Sequence, residues 1–232
     1  QSQTTPQPKH DSTQPLYFLR NALPSTAKRT ITWLEHSSAK TATSPAHANL
    51  IVLTSALTPA QQKPVQDAIK SGTTAIIMVR SANMQSTLQA ITGLDRIQLT
   101  EAQIKDYAMW TDVDMKHPIF TAFRDPRFGD FTKIRFWKHR KITLPRSQTT
   151  HTVPHRQSDA NGNANSNNGL NPASNSSLTN KSTSITTDID KTSTNSIRVL
   201  ARFDADSPAL LEVRNGAGRV YVFASGWHPT DS

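Results

Sequence analysis

Residues 50–79 read LIVLTSALTPAQQKPVQDAIKSGTTAIIMV. This stretch begins with the apolar run LIVL and ends with TAIIMV, and short continuous runs of this kind are typical of strands buried on both faces of a sheet. Between the two runs, Thr58 is a good N-cap, Pro59 suits the first helical position, and Gly72 is a helix terminator. The stretch therefore predicts a strand, a helix and a second strand.

The same alternation extends to both sides of this unit. Gln14–Leu23 carries apolar residues at helical spacing and is followed by Pro24, which predicts a short helix. Thr30–Leu34 is rich in β-forming residues, and Asn83–Ile91 is predicted to be a second helix. The first hundred residues thus alternate between strands and helices, which indicates an α/β fold with a mostly parallel sheet.

The second half of the chain changes to a succession of strands. The turn-forming sequence at Asn215–Gly218 separates the last two and predicts a hairpin. We therefore expect a mostly parallel core with an antiparallel extension. The predicted strands of this half are Tyr107–Val113, Phe131–Leu144, Ile197–Phe203, Ala209–Arg214 and Arg219–Ala224.

Apolar residues make up 35% of the 232-residue chain, a low fraction for a globular protein, and the deficit is local. About 28 of the 50 residues in Ser147–Ser196 are Ser, Thr or Asn, and residues 1–13 contain no apolar side chain. Neither segment can bury enough surface to offset its conformational entropy. We therefore predict a disordered tail at 1–13 and a single α/β domain at 14–232, with a disordered insertion at 147–196.

Two absences exclude whole classes of function. Because the chain has no cysteine, it has no disulfide, no thiolate metal site and no cysteine nucleophile. It also lacks an apolar run of 18 residues, so no transmembrane helix is predicted in it. The sequence starts at Gln1 and stops shortly after a strand-like segment, which we interpret as a piece of a longer protein.

Much of the net charge of +9 comes from one segment, residues 131–146. Basic residues interleaved with aromatic ones are what a nucleic-acid surface needs, and an anionic lipid surface is a second possible partner. As a strand, the segment would turn Ile134 and Phe136 to one face and Arg135 and Trp137 to the other. The simpler interpretation, a solvated edge strand, is favoured over nucleic-acid binding. The basic residues concerned are Lys133, Arg135, Lys138, Arg140 and Lys141.

Four polar residues follow the two apolar runs, and ligands of α/β sheets bind at the carboxyl ends of such strands. We therefore expect any ligand-binding site to lie near Thr54, Ser55, Arg80 and Ser81. Ser55 or Ser81 is also a candidate hydrolase nucleophile. However, the elbow pattern G-x-S-x-G is absent and no histidine or acid is assignable to either serine, so a loop or capping role is favoured.

The remaining motifs give no metal or cofactor site. Asp112-x-Asp114 with His117 contains possible metal ligands, but a polar loop followed by a turn is the favoured interpretation. The sequence Asp188-x-Asp190 lacks the glycine and glutamate of a calcium loop. Gly216-x-Gly218 separates two strands, whereas a phosphate-binding loop must open a helix. We therefore expect no metal and no cofactor.

A longer constellation of residues resembles a known family. The early part of the pattern is Phe18–Leu19-x-x-Ala22–Leu23, the LIVL run and Gly72. The later part is Asp114, His117–Pro118–Ile119–Phe120, Gly129–Asp130–Phe131, Ile134–Arg135–Phe136, Val199–Leu200–Ala201–Arg202–Phe203, Asp206-x-Pro208–Ala209–Leu210, Gly216-x-Gly218–Arg219–Val220 and Ala224–Ser225. With this pattern the chain is similar to the C-terminal part of BatA-type bacterial membrane proteins, which are named for an aerotolerance operon.

The resemblance implies a pair of membrane helices and a von Willebrand A-type domain, both outside this chain, followed by the domain present here. That domain would have the flavodoxin-like, three-layer fold of class I glutamine amidotransferases. Active amidotransferases use a cysteine nucleophile with a histidine and a glutamate, and this chain has no cysteine. The resemblance therefore implies a non-catalytic interaction or ligand-sensing module, not an enzyme.

The same resemblance implies where the module works. We expect a soluble domain of a membrane-anchored protein in the bacterial cell envelope, on either the periplasmic or the cytoplasmic side. Its expected partners are other envelope proteins or other domains of the same protein, and contact with the membrane would come through regions outside this chain.

Overall fold

The computed structural model describes residues 17–34, 48–125, 127, 130–144 and 196–226. The predicted tail at 1–13 and nearly all of the predicted insertion at 147–196 lie outside these ranges. The helices are α1 (Tyr17–Ala22), α2 (Pro59–Lys70) and α3 (Gln85–Thr92), with 3₁₀ helices at Ala82–Met84, Pro118–Phe123 and Phe131–Lys133. The strands are β1 (Leu50–Leu53), β2 (Thr74–Met78), β3 (Gln98–Glu101), β4 (Trp110–Val113), β5 (Arg140–Thr143), β6 (Ile197–Phe203), β7 (Pro208–Asn215) and β8 (Gly218–Phe223).

The helix predicted between the two apolar runs forms as α2. The backbone N–H of Thr58 donates a hydrogen bond of 2.9 Å to Gln61 Oε1, which satisfies a donor at the helix start. Gly72 adopts a φ of 117°, a value that favours glycine, and the chain turns there into β2. The predictions of β1, α2 and β2 are therefore confirmed.

The main sheet has six strands in the order β1-β2-β8-β7-β6-β4. The β1–β2 and β2–β8 pairs are parallel, and the β8–β7, β7–β6 and β6–β4 pairs are antiparallel. A separate antiparallel ribbon joins β3 to β5. The prediction of an α/β fold with a parallel core and an antiparallel extension is confirmed, although the sheet is mixed rather than mostly parallel.

One face of the sheet, called the helix face, packs under α2 and α3. These two helices contact each other, and they reach β8 and β7 respectively. The side chains of Ala75, Ile77, Val220 and Val222 alternate along this face and are fully buried. The contact is close: a Cβ on Gly218 would lie only 2.1 Å from the carbonyl oxygen of Ile69, so only glycine fits there.

The opposite face is called the open face. It is covered much less in its amino-terminal half, which is the half formed by the first residues of the parallel strands β1, β2 and β8. Leu50 is 38% exposed, and Val52, Ile76 and Tyr221 are only half-buried. The prediction that the apolar runs are buried on both faces is therefore wrong for this half. The physical reason is that both long helices pack on the helix face and that β1 is an edge strand, so its neighbours come from one side only.

The carboxyl-terminal half of the open face is covered by an aromatic cluster, which we call the aromatic cap. Trp110 lies at its centre and stacks on Phe136, with ring centroids 5.8 Å apart. Clusters of this kind contribute large apolar area and favourable ring geometry. The other members in contact with Trp110 are Phe120, Phe131 and Phe223.

The aromatic cap explains why Phe131–Leu144 is not the single strand that we predicted. Phe131 and Phe136 both enter the cap, but in a strand residues five positions apart face opposite sides. The chain instead forms a 3₁₀ helix at Phe131–Lys133, makes an isolated bridge at Phe136, and becomes a strand only at Arg140. The predicted alternation is therefore also wrong: Phe136 is buried while Ile134 is 41% exposed.

Other boundaries also differ from the predictions. Thr30–Leu34 forms no strand, and Tyr107–Val113 is a strand only from Trp110 onward. The strands Ile197–Phe203 and the final hairpin are confirmed, and β3 was not predicted. Within the described ranges, no helix has both the length and the apolar character needed to cross a membrane.

Candidate functional site

The polar residues that follow β1 and β2 lie at one edge of the sheet, as expected. The two strands are parallel neighbours, with Leu53 beside Ile77, so Thr54 and Ser55 leave the sheet at the same edge as Arg80 and Ser81. We call this region the carboxyl edge. Ser55 is exposed, and the other three residues are partly buried.

Neither serine at this edge is arranged as a nucleophile. The Ser81 hydroxyl is hydrogen-bonded to the side chain of Asn83, and Ser81 precedes the 3₁₀ helix Ala82–Met84 as its N-cap residue. The two histidines within the described ranges contact other groups: His117 pairs with Glu212, and His139 lies beside Ser207. Within the described ranges, neither histidine is therefore positioned to activate Ser55 or Ser81.

The structure adds a carboxylate and a guanidinium to this edge. Glu101, the last residue of β3, accepts a hydrogen bond of 3.2 Å from the backbone N–H of Ala82. The same carboxylate pairs with Arg140 Nε at 3.0 Å. The backbone N–H of Arg140 donates to the carbonyl oxygen of Ala224, directly after β8. Arg140, a residue of the basic segment, therefore lies at the carboxyl edge together with the β3–β5 ribbon.

Two guanidinium nitrogens in this region have no hydrogen-bond partner among the described residues. Arg80 Nε and Arg140 Nη1 are both buried, and neither donates a hydrogen bond to a group within those ranges. Arg140 is also almost fully buried, with 8% of its side chain exposed. Buried polar groups without a partner are uncommon in folded proteins, and guanidinium groups bind carboxylates and phosphates preferentially.

The other basic residues do not form one continuous surface. Lys133 pairs with Asp130 at 3.4 Å, and Arg135 lies over the ring of Tyr107 at 4.7 Å. Lys138 and Lys141 are exposed, whereas Arg140 is buried. The predicted basic face of residues 133–141 is therefore divided, because the segment is not a single strand.

A solvent-open cleft of about 360 Å³ lies between β5 and the turn from β6 to β7. Of the predicted residues it includes only Lys141. Its other cation, Arg202, already donates a hydrogen bond of 2.9 Å to the carbonyl oxygen of Asp206. Its lining residues are Lys141, Ile142, Thr143, Leu144, Arg202, Ala205, Asp206, Ser207 and Pro208.

The candidate metal ligands Asp112, Asp114 and His117 are not brought together. Asp114 pairs with Arg198, and His117 Nε2 lies 3.2 Å from Glu212 Oε2 on the open face. Within the described ranges no group of three such ligands is found. The favoured interpretation of this segment, a turn beginning at His117, is confirmed, because His117 caps the 3₁₀ helix Pro118–Phe123.

A second histidine is buried beside the aromatic cap. His139 packs on the ring of Phe203 at 4.0 Å, and its Nε2 lies 3.4 Å from the Ser207 hydroxyl. Burial lowers the pKa of His139, and the nearby charge of Asp204 opposes that shift only in part. His139 Nδ1 has no hydrogen-bond partner within the described ranges, so among these residues the pair lacks the orienting acid of a catalytic triad.

Sequence reasoning missed Glu101 and the role of Arg140. Glu101 ends the strand QLTE, which has only one buried residue and so gives no apolar run. In the sequence, Arg140 is only one of several cations of the basic segment. The one sequence signal for the burial of Arg140 is the alternation in RKIT, the sequence of β5, because Arg140 and Ile142 face the same side of the strand.

No family model and no curated protein matches this chain. One solved structure that aligns with it is the exo-beta-1,4-mannosidase from Opitutaceae bacterium strain TAV5, at 13% identity and a TM-score of 0.40. The alignment covers 78% of this chain and 21% of the mannosidase chain. The six-stranded mixed sheet, with α2 and α3 packed on one face, defines a mixed α/β protein.

Proposed function

We propose that this chain is a non-catalytic binding module whose ligand carries a carboxylate or phosphate group and binds at the carboxyl edge. The observation that carries the proposal is the placement of Arg80 and Arg140 at this edge, each with a buried guanidinium nitrogen that has no partner in the part of the chain that the structure describes. An anionic group would supply the missing acceptors, and it would do so where ligands of α/β sheets commonly bind.

The chemistry of the edge supports binding rather than catalysis. The chain has no cysteine, and neither histidine within the described ranges contacts an edge serine. Ser81 and the N–H of Ala82 contribute to holding the local backbone instead. The competing interpretation, a hydrolase that uses Ser55 or Ser81, predicts labelling of one of them by a fluorophosphonate probe.

The family resemblance gives this proposal a setting. The pattern shared with BatA-type proteins supports an amidotransferase-like, flavodoxin-like domain of a larger membrane-anchored protein in the bacterial envelope. In that setting the module would sense a small anion or bind other envelope proteins. Membrane helices and an A-type domain upstream of residue 1 in the complete gene are what this setting requires.

Titration of the purified chain with inorganic phosphate and with succinate tests the proposal. Calorimetry is expected to detect saturable binding of at least one of them, and Arg80→Gln is expected to weaken it at least tenfold. Arg96→Gln is the matched control, since Arg96 is an exposed arginine in the turn after α3. Equal affinities for the chain and the Arg80→Gln variant would contradict an anion site at this edge.

One observation favours a second candidate, single-stranded nucleic acid. Trp137 is 46% exposed and lies 5.8 Å from Tyr107, which is itself covered by Arg135. An exposed aromatic ring beside cations can stack on a base. Binding of a labelled oligonucleotide should then fall steeply with salt and be lost in Trp137→Ala. No binding at low salt would end this candidate.

A further inference from the structure

The amino-terminal half of the open face is apolar, partly exposed and bordered by cations. Its apolar centre is formed by neighbouring residues of three strands that are paired in register. Its cations stand at one side, on β7 and β8. We call this surface the open patch; its members are Leu50, Val52, Thr74, Ile76, Tyr221, Arg214 and Arg219.

The strands that form the open patch have a sequence typical of strands that are covered on both faces. β1 and β2 are apolar at successive positions, a pattern that is characteristic of strands with a helix on each face. Their helix-face side chains are indeed buried, Leu53 at 7% and Ile77 at 0% exposure. The alternate side chains, Val52 and Ile76, are only half-buried.

The exposed charge of the open patch is positive. Arg214 and Arg219 lie directly opposite each other on β7 and β8, an arrangement in which like charges repel. The carboxylate of Glu212, on the same strand as Arg214, is buried and is shared between His117 and Arg219. Arg214 is exposed, and 47% of the Arg219 side chain is exposed, so both can pair with an external carboxylate.

We infer that the open patch docks an acidic amphipathic helix from a partner protein. The apolar stripe of the helix would cover Val52 and Ile76, and carboxylates on its flank would pair with Arg214 and Arg219. A helix is the element that normally covers a sheet face of this kind. This surface lies on the face of the sheet rather than at the carboxyl edge, so the inference does not depend on the anion site.

The charge also argues against self-association through the open patch. In a symmetric dimer the same patch meets its own copy, so each copy would bring two exposed arginines and no exposed carboxylate of the patch to the interface. An acidic partner instead brings carboxylates to both arginines.

Two synthetic helical peptides with the same leucine stripe test the inference. One carries glutamates on its polar face, and the other carries lysines at the same positions. Fluorescence anisotropy with the whole 232-residue chain is expected to show at least tenfold tighter binding of the glutamate peptide. The difference is expected to shrink as salt is added.

Variants locate the binding surface. Arg214→Glu is expected to weaken binding of the glutamate peptide at least tenfold and to strengthen binding of the lysine peptide. The variant keeps the fold because it places a carboxylate opposite Arg219. Ile76→Ser is expected to weaken binding of both peptides. The matched controls are Arg96→Glu and Ile134→Ser, which change an exposed arginine and a 41% exposed isoleucine elsewhere.

Several results would overturn the inference. Absence of binding to the glutamate peptide, equal binding of both peptides, or unchanged binding by Arg214→Glu would each remove the acidic helix as the occupant. A dimer in sedimentation that Ile76→Ser dissociates would assign the patch to a second copy. Adsorption to phosphatidylglycerol vesicles without peptide binding would assign it to an anionic membrane surface.

Discussion

The two faces of the six-stranded sheet are built from the same strands but bury their side chains to different extents. On the helix face, Ile77 and Val222 are fully buried under α2 and α3. On the open face, their sequence neighbours Ile76 and Tyr221 remain half-exposed, although the aromatic cap covers the far half. The comparison teaches that an apolar run indicates strands, whereas burial depends on which elements pack on each face.

The largest expected effect separates adjacent isoleucines. Ile77→Ala should lower the free energy of unfolding by about 4 kcal/mol because it leaves a cavity under the helices. Ile76→Ala, one residue away on the open face, should cost about 1–2 kcal/mol because its side chain is already partly solvated. Urea unfolding of both variants measures the difference; equal losses would mean that the two faces are equally covered.

The close helix contact at Gly218 provides the second test. Gly218→Ala places a methyl group 2.1 Å from the Ile69 carbonyl oxygen, so α2 must move away from β8. The expected loss is about 3 kcal/mol, at the upper end for overpacking. Ala217→Gly, in the adjacent exposed turn, is the control and should change stability by less than about 1 kcal/mol. Similar melting temperatures for the two variants would contradict tight packing at this point.

A third test removes the buried carboxylate of the open face. Glu212→Gln should cost about 2 kcal/mol, because Glu212 is 4% exposed and faces both His117 and Arg219. The exposed pair Lys63–Asp67 on α2 is the matched control, and Asp67→Asn should cost about 0.3–0.5 kcal/mol. If the two losses in stability are alike, the contacts of Glu212 with His117 and Arg219 contribute no more to stability than the exposed pair does.

The smallest expected effect is the pH dependence of the aromatic cap. Burial lowers the pKa of His139 below its ordinary value of 6.5, so near and below that pH the unfolded chain binds a proton that the folded chain does not. Stability should therefore decrease as the pH falls from about 7 to 5. In His139→Gln this part of the decrease should disappear, which denaturant unfolding at several pH values measures. An unchanged slope would show that His139 does not contribute.

The parts of the fold that were predictable depend on local signals. The cap at Thr58, the proline after it and the terminating Gly72 lie within one short stretch, so β1, α2 and β2 could be recognised from the sequence. The final hairpin was recognised for the same reason, since Gly216 has a φ of 62° in the turn between its strands.

The parts that were not predictable depend on distant contacts. Glu101 and Arg140 are 39 residues apart, and only the pairing of β3 with β5 brings them together at the carboxyl edge. The residues after the parallel strands could be placed at one edge by topology, but their partners could not. Likewise, Phe131 and Phe136 leave the strand conformation because both enter a cluster centred on Trp110, which no local pattern reveals.

The position of β8 has a consequence for how the chain folds during synthesis. β8 is paired with β2 on one side and β7 on the other, so it joins the parallel strands to the antiparallel ones. It is separated from β2 by about 140 residues, and contacts of such long range form late. While a ribosome is still making residues before 218, β2 has an unpaired edge and α2 has no Gly218 to pack against. A nascent chain of that length therefore needs protection from strand-to-strand association, which a chaperone can provide.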